Sequence, residues 1–206
     1  MRIERIEPSR HVKGRVLVFL EDGSCLKITE QELLDFDLRT GGALEGGELE
    51  RLKASAGLSN TRAAAAGLIG KRALSRRDLE KKLREKGASA SDAQYAAEWL
   101  EAIGALDDRQ YAAALVRHYS GRGYGPGRIR EKLYEKGVPR ELWEDALEEL
   151  PENDGQIDRF LDGKLRGRLP DEKEKRRLTN ALLRRGFPWA EVKAAWERLG
   201  ERIEED

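Results

Sequence analysis

Three stretches of this chain end in the same way: KKLREKG at 81–87, EKLYEKG at 131–137 and NALLRRG at 180–186. Four residues before Gly87, Gly137 and Gly186 stand Leu83, Leu133 and Leu182. Eight residues before them stand Leu79, Ile129 and Leu178. Apolar residues four apart share one helix face. A glycine just past such a run supplies the left-handed backbone that ends a helix without strain. Three such endings, spaced by 50 and then 49 residues, predict a tandem helical repeat.

The surrounding residues fill out the unit. Ser75 and Asp78 give an S-x-x-D start signal for the first of these helices, over about 76–86. After the stop glycine a new helix begins, at Pro139 and Pro188 in the later copies, where proline suits a first helical turn. The first copy uses Ser89 and Ser91 and is read with two extra residues, which aligns Tyr95 with Trp143 and Val192, and Trp99 with Leu147 and Trp196. A further helix is expected ahead of each motif, at about 61–73, 108–121 and 156–167, carrying Leu68 and Ile69, Leu115 and Tyr119, and Leu161 and Leu165. Three helices in about 50 residues bury little surface alone, so neighbouring copies must stack. The predicted fold class is mainly α: three tandem three-helix repeats in an elongated array, preceded by a small N-terminal β-hairpin region. The expected divisions are 1–60, an N-terminal β-hairpin with short helices, then repeats at 61–107, 108–154 and 155–206.

The first 60 residues change period. Val16, Val18 and Leu20 alternate, Asp22-Gly23 favours a tight two-residue turn, and Leu26 and Ile28 alternate on the return. Ile3 and Ile6 mark a third strand, although their spacing is not that of a strand. Thr29 and Glu32 form a capping box before ELLDF, and GGALEGGELE at 41–50 reads as a loop leading to another helix. On this pattern a chain beginning near Gly57 is expected to stay helical and cooperative.

Net charge is zero, from 39 basic and 39 acidic residues, which argues against a globally basic nucleic-acid binder. The balance hides a pattern. Net charge runs +6 over 62–90, −5 over 91–108, +5 over 109–137, −6 over 138–154, +5 over 155–189 and −3 over 190–206. In each repeat the first two helices are basic and the third is acidic. Like charges at close spacing repel, so a basic face with a partner is expected. Its candidate residues are Lys71, Arg72, Arg76, Arg77 and Lys81, then Arg117, Arg122, Arg128 and Lys132, then Lys175, Arg176 and Arg177. SGRGYGPGR at 120–128 sets glycine amides beside two arginines, which could receive a phosphate or form a plain interhelical loop.

Catalytic and cofactor signals are lacking. Two histidines (His11 and His118) and one cysteine (Cys25) make no zinc set. There is no nucleophile–base pair and no P-loop or dinucleotide turn, so no enzyme activity, metal or cofactor is expected. One cysteine suits a reducing compartment, no apolar run approaches the length of a membrane span, and the N-terminus has no apolar signal core. A cytoplasmic monomer is expected.

The chain resembles the RecX family, regulators of the RecA recombinase, through LIGKRALSRRDLEKKLREKG (68–87), RHYSGRGYGPGRIREKLYEKG (117–137) and KEKRRLTNALLRRGF (173–187). Arg72, Ser75, Leu79, Leu83 and Gly87, in that order, are the most specific part. The resemblance covers roughly residues 62–200, and more weakly the N-terminal hairpin. It implies three tandem three-helix repeats in an elongated, curved array, binding in the groove of the RecA–DNA filament, inhibition of ATP hydrolysis, strand exchange and co-protease action, and contact with DNA in some members. A stand-alone DNA-binding protein and a helical scaffold for another partner are the alternatives. Neutral net charge departs from strongly basic members of the family.

Overall fold

The computed structural model describes residues 1–148, 150 and 154–204. They form two compact units, one of Met1–Ala73 with Asp78–Leu106, the other of Leu74–Arg77 with the residues from Asp107 onward.

The first unit opens with an antiparallel sheet ordered β1 (Ile3–Pro8), β2 (Arg15–Leu20), β3 (Cys25–Thr29). The third strand is present, and its odd spacing has a cause. The register slips between Ile3 and Arg5, and this bulge lets both Ile3 and Ile6 reach the core. The turn between β2 and β3 differs from the two residues expected. Glu21, Asp22 and Gly23 form it, with the Leu20 N–H donating to the Ser24 carbonyl at 2.9 Å and Gly23 at φ +81°. A turn closed by a left-handed glycine is the usual three-residue solution. The capping box is formed in full: Thr29 accepts from the Glu32 amide at 3.0 Å, and Glu32 accepts from the Thr29 amide at 2.7 Å, opening α1 (Glu30–Asp35).

Helix α2 (Glu48–Ile69) is continuous. The helix expected at 61–73 therefore starts thirteen residues earlier and absorbs the helix expected after the glycine-rich loop. Its first half buries Leu52 and Ala56 against the sheet core. Its second half packs on α4 (Ala90–Ala102), which follows α3 (Arg76–Glu85). A polar seam ties α2 to the sheet. Arg15, buried, donates to the Ser59 hydroxyl at 2.8 Å and the Ser59 carbonyl at 2.7 Å. The buried Glu32 carboxylate accepts from Ser55 at 2.7 Å and from Ser59 at 3.2 Å. Burial pushes the Glu32 carboxyl up, but the hydrogen bonds from Ser55, Thr29 and Ser59 together outweigh it and hold the group below its ordinary value. A chain beginning near Gly57 would start inside α2 and lack both Glu32 and Ser55.

The remaining helices are α5 (Asp108–Ser120), α6 (Pro126–Glu135), α7 (Trp143–Glu148) after a short 3-10 turn, α8 (Asp154–Leu165), α9 (Glu172–Arg184) and α10 (Trp189–Glu204). All three repeated stops are realised. Gly87, Gly137 and Gly186 have φ of +94°, +70° and +89°. The residue after each donates its N–H to the carbonyl of Leu83, Leu133 and Leu182, at 3.1, 3.0 and 3.3 Å. This is the paired-bond ending that satisfies the last carbonyls of a helix.

The helices after these stops are in register without any insertion. Ala93, Trp143 and Val192 stand six residues past the glycine, and Ala96, Ala146 and Ala195 stand nine past; all six are buried. Tyr95, read from sequence as core, is 45% exposed, and Trp99 and Trp196 are half-buried. Ser89 explains the misreading. Its hydroxyl accepts from the Asp92 amide at 3.0 Å, so it starts α4 at the position held by Pro139 and Pro188 in the other copies. Leu161 and Leu165 are buried as expected, whereas in α5 it is Ala112 and Val116 that are buried, Leu115 and Tyr119 lying at the core's edge.

Within the second unit, successive motifs meet through backbone. Gly125 and Gly127, at the start of α6, donate to the carbonyls of Arg185 and Gly186, at the end of α9, at 2.8 and 2.9 Å. A Cβ on Gly125 would lie 2.6 Å from the Phe187 nitrogen, and one on Gly186 would collide with the Arg128 amide. The segment Leu74–Arg77 repeats the construction. The fully buried Ser75 donates to the Lys136 carbonyl at 2.7 Å, beside Gly137. Lys136 and Arg185 each precede a stop glycine, and Ser75 and Gly125 each stand twelve residues before their own.

This packing makes the stop glycines unequal. Gly87 has open space around it, so Gly87→Ala costs only the left-handed backbone penalty, about 1–2 kcal/mol. Gly186→Ala adds a clash with α6, a further ~1–3 kcal/mol; thermal or urea unfolding of the two variants should rank them in that order. The Glu32 carboxylate is held below its unfolded value, so its contribution is full above the ordinary glutamate pKa of about 4.3 and fades as pH falls through the folded value. Glu32→Gln should lower stability at neutral pH and flatten the acid side of the melting-temperature profile.

Candidate functional site

The basic residues singled out by sequence fall in both units. Lys71 and Arg72 follow α2 and are exposed, as is Lys81 on α3. Arg76 and Arg77 form the first turn of α3, Arg76 half-buried and Arg77 exposed. The Arg76 amide donates to the Asp108 carboxylate at 2.8 Å, which supplies negative charge where the helix dipole favours it. Arg117 on α5 and Arg122 in the α5–α6 loop are exposed, Arg128 and Lys132 on α6 are half-buried, and Lys175, Arg176 and Arg177 on α9 are exposed.

Many of these cations are already matched. Arg128 pairs with Glu131, Lys132 with Glu135 at 2.6 Å, Lys81 with Glu85 at 3.9 Å, and Arg177 with Glu174 at 3.3 Å. The Lys132 hydrogen bond holds the Glu135 carboxyl below its ordinary value, and Arg168 does the same for Glu174. Lys175 stands 5.8 Å from the centre of the Trp196 ring. Lys71, Arg72, Arg77, Arg122 and Arg176 make no ion pair among the described residues.

In the second repeat the acidic third helix answers the basic ones, and in the third repeat a cation of the last helix pairs with a carboxylate of the first. Arg130 of α6 meets Glu144 of α7 at 2.9 and 3.1 Å and holds that carboxyl low. Arg109 of α5 reaches Asp145 at 3.5 Å, and Arg198 of α10 reaches Asp158 of α8 at 3.2 Å. Part of the helix-by-helix charge segregation is therefore consumed within the second and third repeats.

The glycine loop is the plain alternative of its two readings as far as its amides go: Gly125 and Gly127 spend their N–H groups on α9. Sequence reasoning did not find two features. Arg62 of α2 lies over the rings of Tyr95 and Trp99 at 5.0 and 5.1 Å, and the exposure of Tyr95 was hidden by the misplaced register. Arg184 and Arg185 show in the sequence only as part of a helix ending. Among the described residues no group of three or more His, Cys, Asp and Glu could hold a metal ion, and no helix is long and apolar enough to cross a membrane. His118 is exposed, edge-on to Tyr119 at 5.0 Å, and Cys25 is exposed.

Comparison with known proteins agrees with this architecture. The second three-helix domain of RecX matches residues 107–147, and the third matches residues 161–196. A regulatory protein RecX of Pseudomonas putida strain F1 is 36% identical over 123 residues, 59% of this chain and 79% of that relative. One from Xanthomonas axonopodis pv. citri is 35% identical over 133 residues, 64% of this chain and 82% of its own length. The fold matches a crystal structure of regulatory protein RecX with a TM-score of 0.70 at 22% identity, over 95% of this chain and 98% of that one. It also matches RecX from Lactobacillus salivarius with a TM-score of 0.64 at 22% identity, over 70% of this chain and 97% of the other.

The α6 pairs join half-buried cations to exposed glutamates within one helix, and such surface pairs contribute little to stability. Replacing Arg128 and Lys132 together with alanine should leave the thermal unfolding curve almost unmoved. A drop of several degrees would mean that these side chains hold the joint between α6 and α9.

Proposed function

Because this chain belongs to the RecX family of regulatory proteins, we propose that it acts by binding the RecA–DNA filament and inhibiting its ATP hydrolysis, strand exchange and co-protease action. It does so as a cytoplasmic monomer with no catalysis of its own. Its modules are the N-terminal region, 1–60, and the repeats 61–107, 108–154 and 155–206.

Family membership carries the reading. The exposed cations left without carboxylate partners support it, because they would attract an acidic groove. Lys71 and Arg72 after α2, Arg77 on α3 and Arg176 on α9 are the residues that meet the partner first. Lys81, Arg128, Lys132 and Arg177 contribute less until their intrahelical pairs open. Arg76, Arg117 and Lys175 are the remaining residues of the set.

The test is filament ATP hydrolysis on single-stranded DNA, titrated with this protein. Lys71→Glu, Arg72→Glu and Arg176→Glu change exposed side chains and leave the core intact. Together they should raise the concentration needed for half-inhibition by roughly tenfold or more. Glu141→Lys with Glu148→Lys, also exposed, should matter much less. Loss of inhibition only in the acidic-residue variant would show that the acidic residues, not the basic ones, meet the partner. A chain with no effect on filament ATP hydrolysis at any workable salt concentration would end the regulatory reading.

A further inference from the structure

Two of the three repeated stops have an occupant, and the two occupants are built alike. Ser75 donates to the Lys136 carbonyl at 2.7 Å, and Gly125 donates to the Arg185 carbonyl at 2.8 Å. Each is a small residue directly before a helix, α3 or α6. Each joint also closes on the stop glycine itself. A Cβ on Gly137 would lie 3.1 Å from the Ser75 hydroxyl, and one on Gly186 would collide with the Arg128 amide. The first stop differs. A Cβ on Gly87 would meet nothing within 4 Å, and the Lys86 carbonyl, the counterpart of Lys136 and Arg185, has no donor among the described residues. This stop borders a cavity of about 590 Å³ within the first unit.

Charge is the second observation. The end of α3 forms one wall with Lys86 and Gly87, α2 a second with Asn60 and Ala63, and the sheet a third with Arg15 and Lys27. Arg15 is buried and held by Ser59. The Asn60 amide donates to the Lys27 carbonyl at 2.7 Å, which ties β3 to α2 beside the cavity. Three cations thus line the cavity with one carboxylate, Asp92. Lys27 and Lys86 are exposed and make no ion pair among the described residues. Glu32 balances Arg15 only through the Ser59 hydroxyl. The joints of the second unit seat first turns that carry Arg76 and Arg77, or Arg128. A basic turn of that kind would be repelled at the first stop, and an acidic one attracted.

We propose that this cavity is a socket for a helix start of a protein partner, one that opens with serine or glycine, as at Ser75 and Gly125, but carries Asp or Glu in its first turn. The small residue donates to the Lys86 carbonyl, and its backbone passes over Gly87. The acidic turn, itself favoured at a helix N-terminus, meets Lys27 and Lys86, with Arg15 as fixed charge behind them. The third motif of a second copy does not offer this segment. Its equivalent position, Glu174, lies inside α9, with its amide donating to Asp171 at 2.6 Å and its carboxylate held by Arg168. The proposal rests on the regulatory reading for its partner, which is then the protein of the filament rather than the DNA.

The experiment uses the full chain with recombinase filaments on single-stranded DNA. Lys27→Glu with Lys86→Glu reverses the charge of the cavity, and Ala63→Trp, at an exposed position of its wall, obstructs it without changing charge. Each should raise the concentration needed for half-inhibition of ATP hydrolysis by roughly tenfold or more. Arg39→Glu with Lys53→Glu, at cations that carboxylates already hold, should change it far less. A photo-crosslinking residue in place of Val12, which is exposed and lines the cavity, should join to a recombinase peptide that contains a helix start with Asp or Glu. Thermal unfolding of each variant checks the fold. Undiminished inhibition by both folded variants would overturn the proposal and leave the regulatory reading standing. So would weakening by only one of the two, since the socket needs both its charge and its space. Crosslinks only to DNA, or only to a second copy of this chain, would also overturn it. A wild-type chain that neither inhibits nor crosslinks to the filament would end the regulatory reading and the proposal with it.

Discussion

The second unit depends on a contact with no side chains in it. The amides of Gly125 and Gly127 reach the last carbonyls of α9, and Gly186 has no Cβ to hold α6 away. A three-helix unit of this length buries too little apolar surface to stand alone, so what fixes its neighbour fixes this unit. Backbone-to-backbone hydrogen bonds set the separation to within a few tenths of an ångström. Alanine at the ninth position past every stop glycine keeps the interior of each repeat correspondingly narrow. The same joint brings Arg122 to Arg184 and Arg185, which line one cavity with it.

Much of this was legible because it is local. Leu79 and Leu83, with their equivalents and a glycine four residues on, report a helix face and its end from sequence alone. The capping box at Thr29 and Glu32 is equally self-contained. The joint was not legible, because GRGYGPG at 121–127 has no local pattern that names Gly186 as its partner across the fold. Tyr95 misled for a different reason. A large apolar residue outweighed three small ones, yet Ala93, Ala96 and Ala97 are what α4 buries along with Leu100, since close helix approach needs small side chains. Ile3 and Ile6 looked irregular because a bulge is invisible until the partner strand is in place.

Charge was legible as a count and less so as a surface. Basic second helices and acidic third helices suggested separate faces, but Arg130 with Glu144 and Arg198 with Asp158 show opposite signs meeting between helices of one repeat. What remains without a carboxylate partner among the described residues is a smaller set that includes Lys71, Arg72, Arg77 and Arg176. Under the proposed function, a neutral chain would draw its affinity from a few placed cations rather than from a general positive field. The family assignment and this residual set are independent lines, one resting on the repeated helices and the other on the pairing of individual side chains.

Hydrogen exchange at the joint examines the central claim most directly. If Gly125 and Gly127 are the hinge points of stacking, their amides open only when the second unit unfolds, and they exchange as slowly as the core amides of α6 around Leu133. Exchange of these two glycines at the rate of an unprotected peptide, while Leu133 stays protected, would contradict the account, because the repeats would then be held together without the backbone contact on which their arrangement is argued to rest.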